Sequence, residues 1–152
     1  MSLLPLSSVL AAKPNITVYE YPVVGEWIAE CDGFSILADS DYKLTIKEYF
    51  DKDGMLIEER NHLAILNGVV YNSTNSTKSL PEGPDRIYFR IDPDTGHMTQ
   101  TGIALRVHVP GQGYIIINAG RVILDEFWNV LWERGNNMWL NGEIDVLCAA
   151  LE

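Results

Sequence analysis

Long apolar runs are missing from this chain. The longest, such as residues 113–119, fall far short of the roughly 20 residues that a membrane-crossing helix requires, which excludes a helical membrane span. Basic clusters are missing too. The 11 Lys and Arg are scattered through 152 residues, with no local grouping that tracks a phosphate backbone, and this speaks against nucleic acid as a partner. Cysteine is scarce: Cys31 and Cys148 stand alone, with neither a CxxC nor a zinc spacing. His62, His97 and His108 lie too far apart in sequence to form a local metal pair. The acidic turns at 39–41, 51–54 and 92–94 do not continue as EF-hand loops. Counted from Asp51 and Asp92, Gly54 and Gly96 miss the loop's sixth position, and His62 and Ile103 stand where the closing Glu belongs. Pro110-Gly111-Gln112-Gly113 has neither a following helix nor a Lys-Ser/Thr pair, so it is no phosphate loop, and no GxSxG is present. Neither a metal nor a cofactor is expected.

What is present is ordinary globular composition, with 47% apolar and 21% charged residues and 21 Asp+Glu that bring the net charge to −10. The length suits one domain, placed at residues 14–152. Residues 1–13 precede it. Within them, residues 3–12 are mildly apolar and end in Ala11-Ala12, which reads either as the remnant of a processed export signal or as a plain tail.

From residue 16 to residue 125 the apolar residues alternate or run in short blocks rich in Val, Ile, Tyr and Phe, which predicts strands. Eleven are expected, at 16–21, 34–38, 42–50, 56–66, 69–72, 86–92, 97–101, 103–109, 114–118, 121–124 and 130–133. Tight reversals at 51–54, 92–96 and 110–113 make consecutive strands hairpin partners. The polar run 72–78, NSTNSTK, is expected as an exposed loop. Residues 125–135 carry two signals: a helix with Asp125 as N-cap and Gly135 past its end, and a strand after an Asn-containing turn. The apolar spacing of Ile144, Leu147, Cys148 and Leu151 predicts a terminal helix within 143–151. The expected fold is all-β, an antiparallel meander closed or nearly closed into a barrel, with a short C-terminal helix.

Candidate site residues follow from assumed registers. With Gly111-Gln112 as a two-residue loop, Val107 pairs with Ile116, and Arg106 and His108 border an apolar strip, either as polar anchors of a ligand pocket or as a strand rim facing water. With Asp53-Gly54 as a two-residue turn, Glu48 faces Glu59, and opposed carboxylates are how acid/base pairs are tuned. A three-residue loop would instead face Lys47 with Glu59 as an ion pair. Trp128 and Trp132 share a face if the last strand begins two residues early, and would then form a stacking platform; core packing is the competing reading. Cys31 and Cys148 are an even count compatible with one bridge, with two unrelated buried thiols as the competing reading.

The segments Thr101-Gly102-Ile103, Arg106-Val107-His108-Val109-Pro110-Gly111-Gln112-Gly113 and Asn118-Ala119-Gly120-Arg121-Val122-Ile123-Leu124-Asp125 together form a recognisable pattern. With Phe50-Asp51-Lys52-Asp53-Gly54 upstream and Leu147-Cys148-Ala149-Ala150-Leu151 at the end, it resembles a functionally uncharacterised family of small exported β-rich proteins of actinobacteria and related bacteria. The resemblance implies a Cys31–Cys148 disulfide, a strand rather than a helix within 125–135, and a secreted or extracytoplasmic location. It carries no catalytic residue. The expected function is a non-catalytic binding module for a small amphipathic ligand or a protein partner, by analogy with lipocalin-like barrels. The competing expectation is a small enzyme of the isomerase or cyclase type, like those on allene-oxide-cyclase-like barrels, with an interior carboxylate or histidine as general base.

Overall fold

Alternating apolar and polar residues build three strands of 17 residues each, β1 (Asn15–Cys31), β2 (Phe34–Phe50) and β3 (Leu56–Asn72). Five shorter ones follow: β4 (Asn75–Glu82), β5 (Arg86–Ile91), β6 (Met98–Val109), β7 (Gly113–Leu124) and β8 (Val130–Asn137). The chain ends in α1 (Asp145–Leu151). The computed structural model describes residues 13–137 and 144–152, so the apolar stretch 3–12, Trp139 and Glu143 lie outside the described residues. All strands belong to one antiparallel sheet in the order β1-β2-β3-β4-β6-β7-β8, with β5 also pairing with β3 and β6. β4 and β5 are thus two halves of one interrupted strand, broken where Gly83-Pro84-Asp85 leaves the ladder. Pro84 has no N–H to donate, so the ladder is interrupted there.

The sheet curls only in part. Its path ends at β1 and β8, and no β1–β8 pairing occurs among the described residues. The all-β class, the antiparallel pairing and the terminal helix stand as expected, and residues 130–137 form a strand. Four expected strand pairs merge into β2, β3, β6 and β7, and β1 runs ten residues beyond the expected 16–21. The breaks that the sequence suggested lie within strands. At 39–41 Ser40 points to the buried inner side while its neighbours point out. At Gly102 and Gly120 the strands bend instead of ending. Gly102 pairs with Gly120 and Gly120 with Gly135, and all three have positive φ. A Cβ on any of them would collide with the backbone of the neighbouring strand. This glycine row lets three strands close on one another along a line, the usual role of in-strand glycine at a sharp sheet bend.

The polar run 72–78 is not a loop. Asn72 Oδ1 accepts the N–H groups of Thr74 (2.8 Å) and Asn75 (3.1 Å), closing a two-residue turn at Ser73-Thr74, and Asn75 onwards enters β4. The Asn side chain mimics a backbone turn, which tightens the reversal.

One side of the sheet, the inner face, carries the core: Ile36, Ala38, Val70, Val107, Ile117 and, from α1, Leu147 and Leu151. A seven-residue helix is marginal in water on its own. Here it is fastened by the Cys31–Cys148 disulfide, with a sequence separation of 117, and by Asn72 Nδ2 donating to the Leu151 carbonyl at 3.2 Å. No helix among the described residues is long and apolar enough to cross a membrane.

Candidate functional site: a cationic groove on the outer face

The register of the sheet assembles on its outer face what the linear chain disperses. One row of cross-strand partners reads Lys47, Arg60, Arg90, Thr99, Ile123 and Trp132 from β2 to β8. The next row reads Thr45, His62, Tyr88, Thr101, Arg121 and Arg134, and a third begins Lys43, Ala64 and Arg86. Seven of the chain's 11 Lys and Arg therefore sit on one face within three adjacent rows. Two carboxylates accompany them. Glu20 pairs with Lys43 at 2.6 Å, and Glu58 pairs with Arg60 at 2.7 Å and with Arg90. Among the described residues Lys47, Arg86, Arg121 and Arg134 form no salt bridge. Set against these two partners, the seven cations of the three rows leave a surplus of five positive charges there, in a chain whose net charge is −10.

These rows enclose a half-open groove of about 380 Å³, lined by Lys47, Arg60, His62, Tyr88, Arg90 and Arg121, with the hydroxyls of Thr45, Thr99 and Thr101 between them. Its rings are already engaged. His62 stacks on Tyr88 with ring centroids 4.6 Å apart and planes 9° off parallel. The Arg60 guanidinium lies 4.9 Å over the Tyr49 ring, and that of Arg121 lies 5.9 Å from the Trp132 ring. A cation over a ring face is attracted by the quadrupole, and the contact narrows its rotamer choice. The hydrogen bond from Arg60 holds the Glu58 carboxyl below its ordinary range, with the charges of Arg60 and Arg90 adding to it. Burial pushes the His62 imidazole down, and Arg86 and Lys47 push it further. His62 Nε2 is buried with no hydrogen-bond partner in the protein. The groove therefore offers fixed positive charge, one neutral imidazole and hydroxyl donors, an arrangement suited to holding an anion.

None of the four residues singled out from the sequence lines this groove. Glu48 and Glu59 are direct cross-strand partners, half-buried on the inner face near the open end, and Lys47 faces Arg60 rather than Glu59. Asn61 Nδ2 donates to Glu59 at 2.6 Å. Arg106 and His108 lie on the outer face, because Val109 pairs with Gly113 and the loop is Pro110-Gly111-Gln112. That third loop residue makes Ile115, not Ile116, the partner of Val107. Arg106 and His108 both approach Tyr114, the first at 5.0 Å to the ring centroid and the second edge-on at 5.1 Å. Trp128 and Trp132 form neither a shared platform nor part of the core, since they are 71% and 44% exposed. Trp128 sits in the turn before β8, at φ 67°, while Trp132 is on the strand.

Arg106 is committed to a second polar cluster that the sequence did not reveal. Its backbone N–H donates to Asp85 Oδ2 at 2.7 Å, its Nη2 donates to the Pro84 carbonyl at 2.6 Å, and its Nε lies 3.4 Å from Asp85 Oδ1. Nearby, Glu82 accepts a hydrogen bond from Ser40 at 2.7 Å. Both carboxyls are buried. Burial pushes Glu82 up to about 7 and Asp85 up to about 6, against the hydrogen bonds that each accepts. Gly68 leaves room for Glu82, since a Cβ there would occupy the position of its carboxylate. The cluster clasps the one point where β4 meets β6, the Glu82–Val107 pair.

No family model matches this chain, and comparison with curated proteins and with solved structures finds no significant match.

Proposed function

We propose that the protein is a non-catalytic binding module acting outside the cytoplasm, and that its outer groove takes a small amphipathic anion. The observation that carries this reading is the convergence of Lys47, Arg60, Arg90 and Arg121 around the His62–Tyr88 stack in a chain that is otherwise strongly acidic. Binding pockets combine an apolar floor with a few polar groups that orient the ligand. Here the stacked rings supply the floor and the guanidinium groups bind the anionic end. The Cys31–Cys148 bridge supports the extracytoplasmic address, since such bonds persist in oxidising compartments. The resemblance to exported bacterial proteins points the same way.

The test is calorimetric titration with phenyl phosphate against benzyl alcohol. The phosphate should bind and the neutral alcohol should not. Arg90→Ala combined with Arg121→Ala should weaken phosphate binding at least tenfold. Equal affinity for the two ligands, or no heat from either, defeats the reading.

A further inference from the structure

We propose that the same face binds an extended acidic polysaccharide, a chain carrying carboxylate or sulfate groups on successive sugars and lying across the strands from β2 to β8. This rests on the groove being an anion site and adds what the anion is.

The cations outrun the groove. Lys43, Arg86 and Arg134 do not line it, yet Arg134 extends its second row onto β8 and Lys43 and Arg86 stand in the row beside it. A small anion satisfies the groove and leaves Arg86 and Arg134, which form no salt bridge among the described residues, without a role, whereas a polymer engages them. From β2 to β8 the charged rows cross six strands, which at about 4.8 Å per step gives a track roughly 24 Å long. Positive side chains occupy five of those six strands: Lys47, Arg60, Arg90, Arg121 and Arg134. The sixth, β6, contributes Thr99 and Thr101. A ligand that repeats a negative charge along its length and carries hydroxyls between charges matches that order.

The rings decide between polyanions. Proteins that hold single-stranded nucleic acid offer open aromatic faces on which bases stack. On this face Arg60 lies over Tyr49, Arg121 over Trp132 and His62 against Tyr88, although Tyr88 and Trp132 stay 48% and 44% exposed. Each ring thus has one face engaged by a neighbouring side chain, which reduces the stacking surface that bases would use and favours a polyanion without bases. An oxidising compartment, to which the disulfide belongs, is also where acidic glycans are the usual polyanions.

The experiment uses the whole protein and 1,4-linked oligouronates of defined length, a disaccharide and a hexasaccharide, beside phenyl phosphate and a single-stranded oligonucleotide of equal charge. The hexasaccharide is expected to bind at least tenfold more tightly than the disaccharide. Its affinity should fall steeply between about 50 and 200 mM salt, as counterion release requires, and Arg86→Ala with Arg134→Ala should erase the gain with length. A hexasaccharide no tighter than the disaccharide, with phenyl phosphate still bound, overturns the polysaccharide and leaves the groove standing. Failure of phenyl phosphate as well overturns both. An oligonucleotide that outcompetes the hexasaccharide overturns the glycan in favour of nucleic acid. The length series on the unmodified protein does not depend on any variant folding.

Discussion

A carboxyl that folding drives above its ordinary value binds its proton more tightly in the folded than in the unfolded chain. Glu82, pushed up to about 7, is such a group. The associated stability is fully present below the unfolded value near 4.5 and is lost as pH rises through 7. The protein should therefore be more stable at about pH 5 than at about pH 8, by on the order of 3 kcal/mol from Glu82. Glu82→Gln keeps an acceptor for Ser40 without the charge, so it should flatten most of that slope, and denaturant melts across the range will show whether it does. His62 carries the opposite kind of shift. It is held below its ordinary value by burial and by Arg86 and Lys47, so an anion that offsets those charges should raise it again. Anion affinity should then strengthen from about pH 8 to about pH 5, and His62→Gln should remove the part of that trend owed to the imidazole. Calorimetric titrations at the two pH values test this; an unchanged trend in the variant would assign it elsewhere.

At the scale of the elements, strands were legible because β-branched and aromatic residues alternate along them, and the hairpin turns because Asp, Gly and Pro mark them. Three features were hidden for physical reasons. Asn, Ser and Lys have little strand preference of their own, and 75–79 becomes strand because Val69 and Val70 pair with Pro81 and Leu80 and draw the preceding residues into the ladder. Gly102 and Gly120 carry the same local signal as a turn, and only their pairing across strands distinguishes a bend. The β6–β7 register missed by one residue because loop length, which sets it, is not fixed by Pro110-Gly111-Gln112-Gly113 alone. Gly120→Ala tests the bend. The added methyl meets the Arg134 carbonyl, and the residue needs φ 144°, so the variant should lose more than about 2 kcal/mol in urea unfolding. Reduction of the bridge tests the other closure: α1 should lose hydrogen-exchange protection at Leu147 and Leu151 while strand amides in β2 and β3 retain theirs.

For the whole molecule, the cationic face was legible only in fragments. Lys43 and Lys47, and Arg86 and Arg90, share a strand face at a spacing of four, but Lys47, Arg60, Arg90, Arg121 and Arg134 are each more than ten residues from the next, so no short window shows the face that unites them. Cross-strand pairing alone unites them. The rest of the chain is strongly acidic, so the three rows form a cationic patch on an acidic molecule, and a polyanion should approach with that patch forward. The disulfide acts at this scale as well. Closing a loop of 117 residues constrains the unfolded chain by at most about 5 kcal/mol in the entropic account. It also makes the segment from Cys31 to Cys148, which contains β2 to β8 but not β1, a covalent ring. A protease that cuts once at an exposed turn such as Lys52-Asp53 opens that ring without dividing the molecule. Nicked protein should run as a single species until a thiol is added and only then separate into two fragments, so damage to one hairpin tip need not release the rest from the surface it occupies.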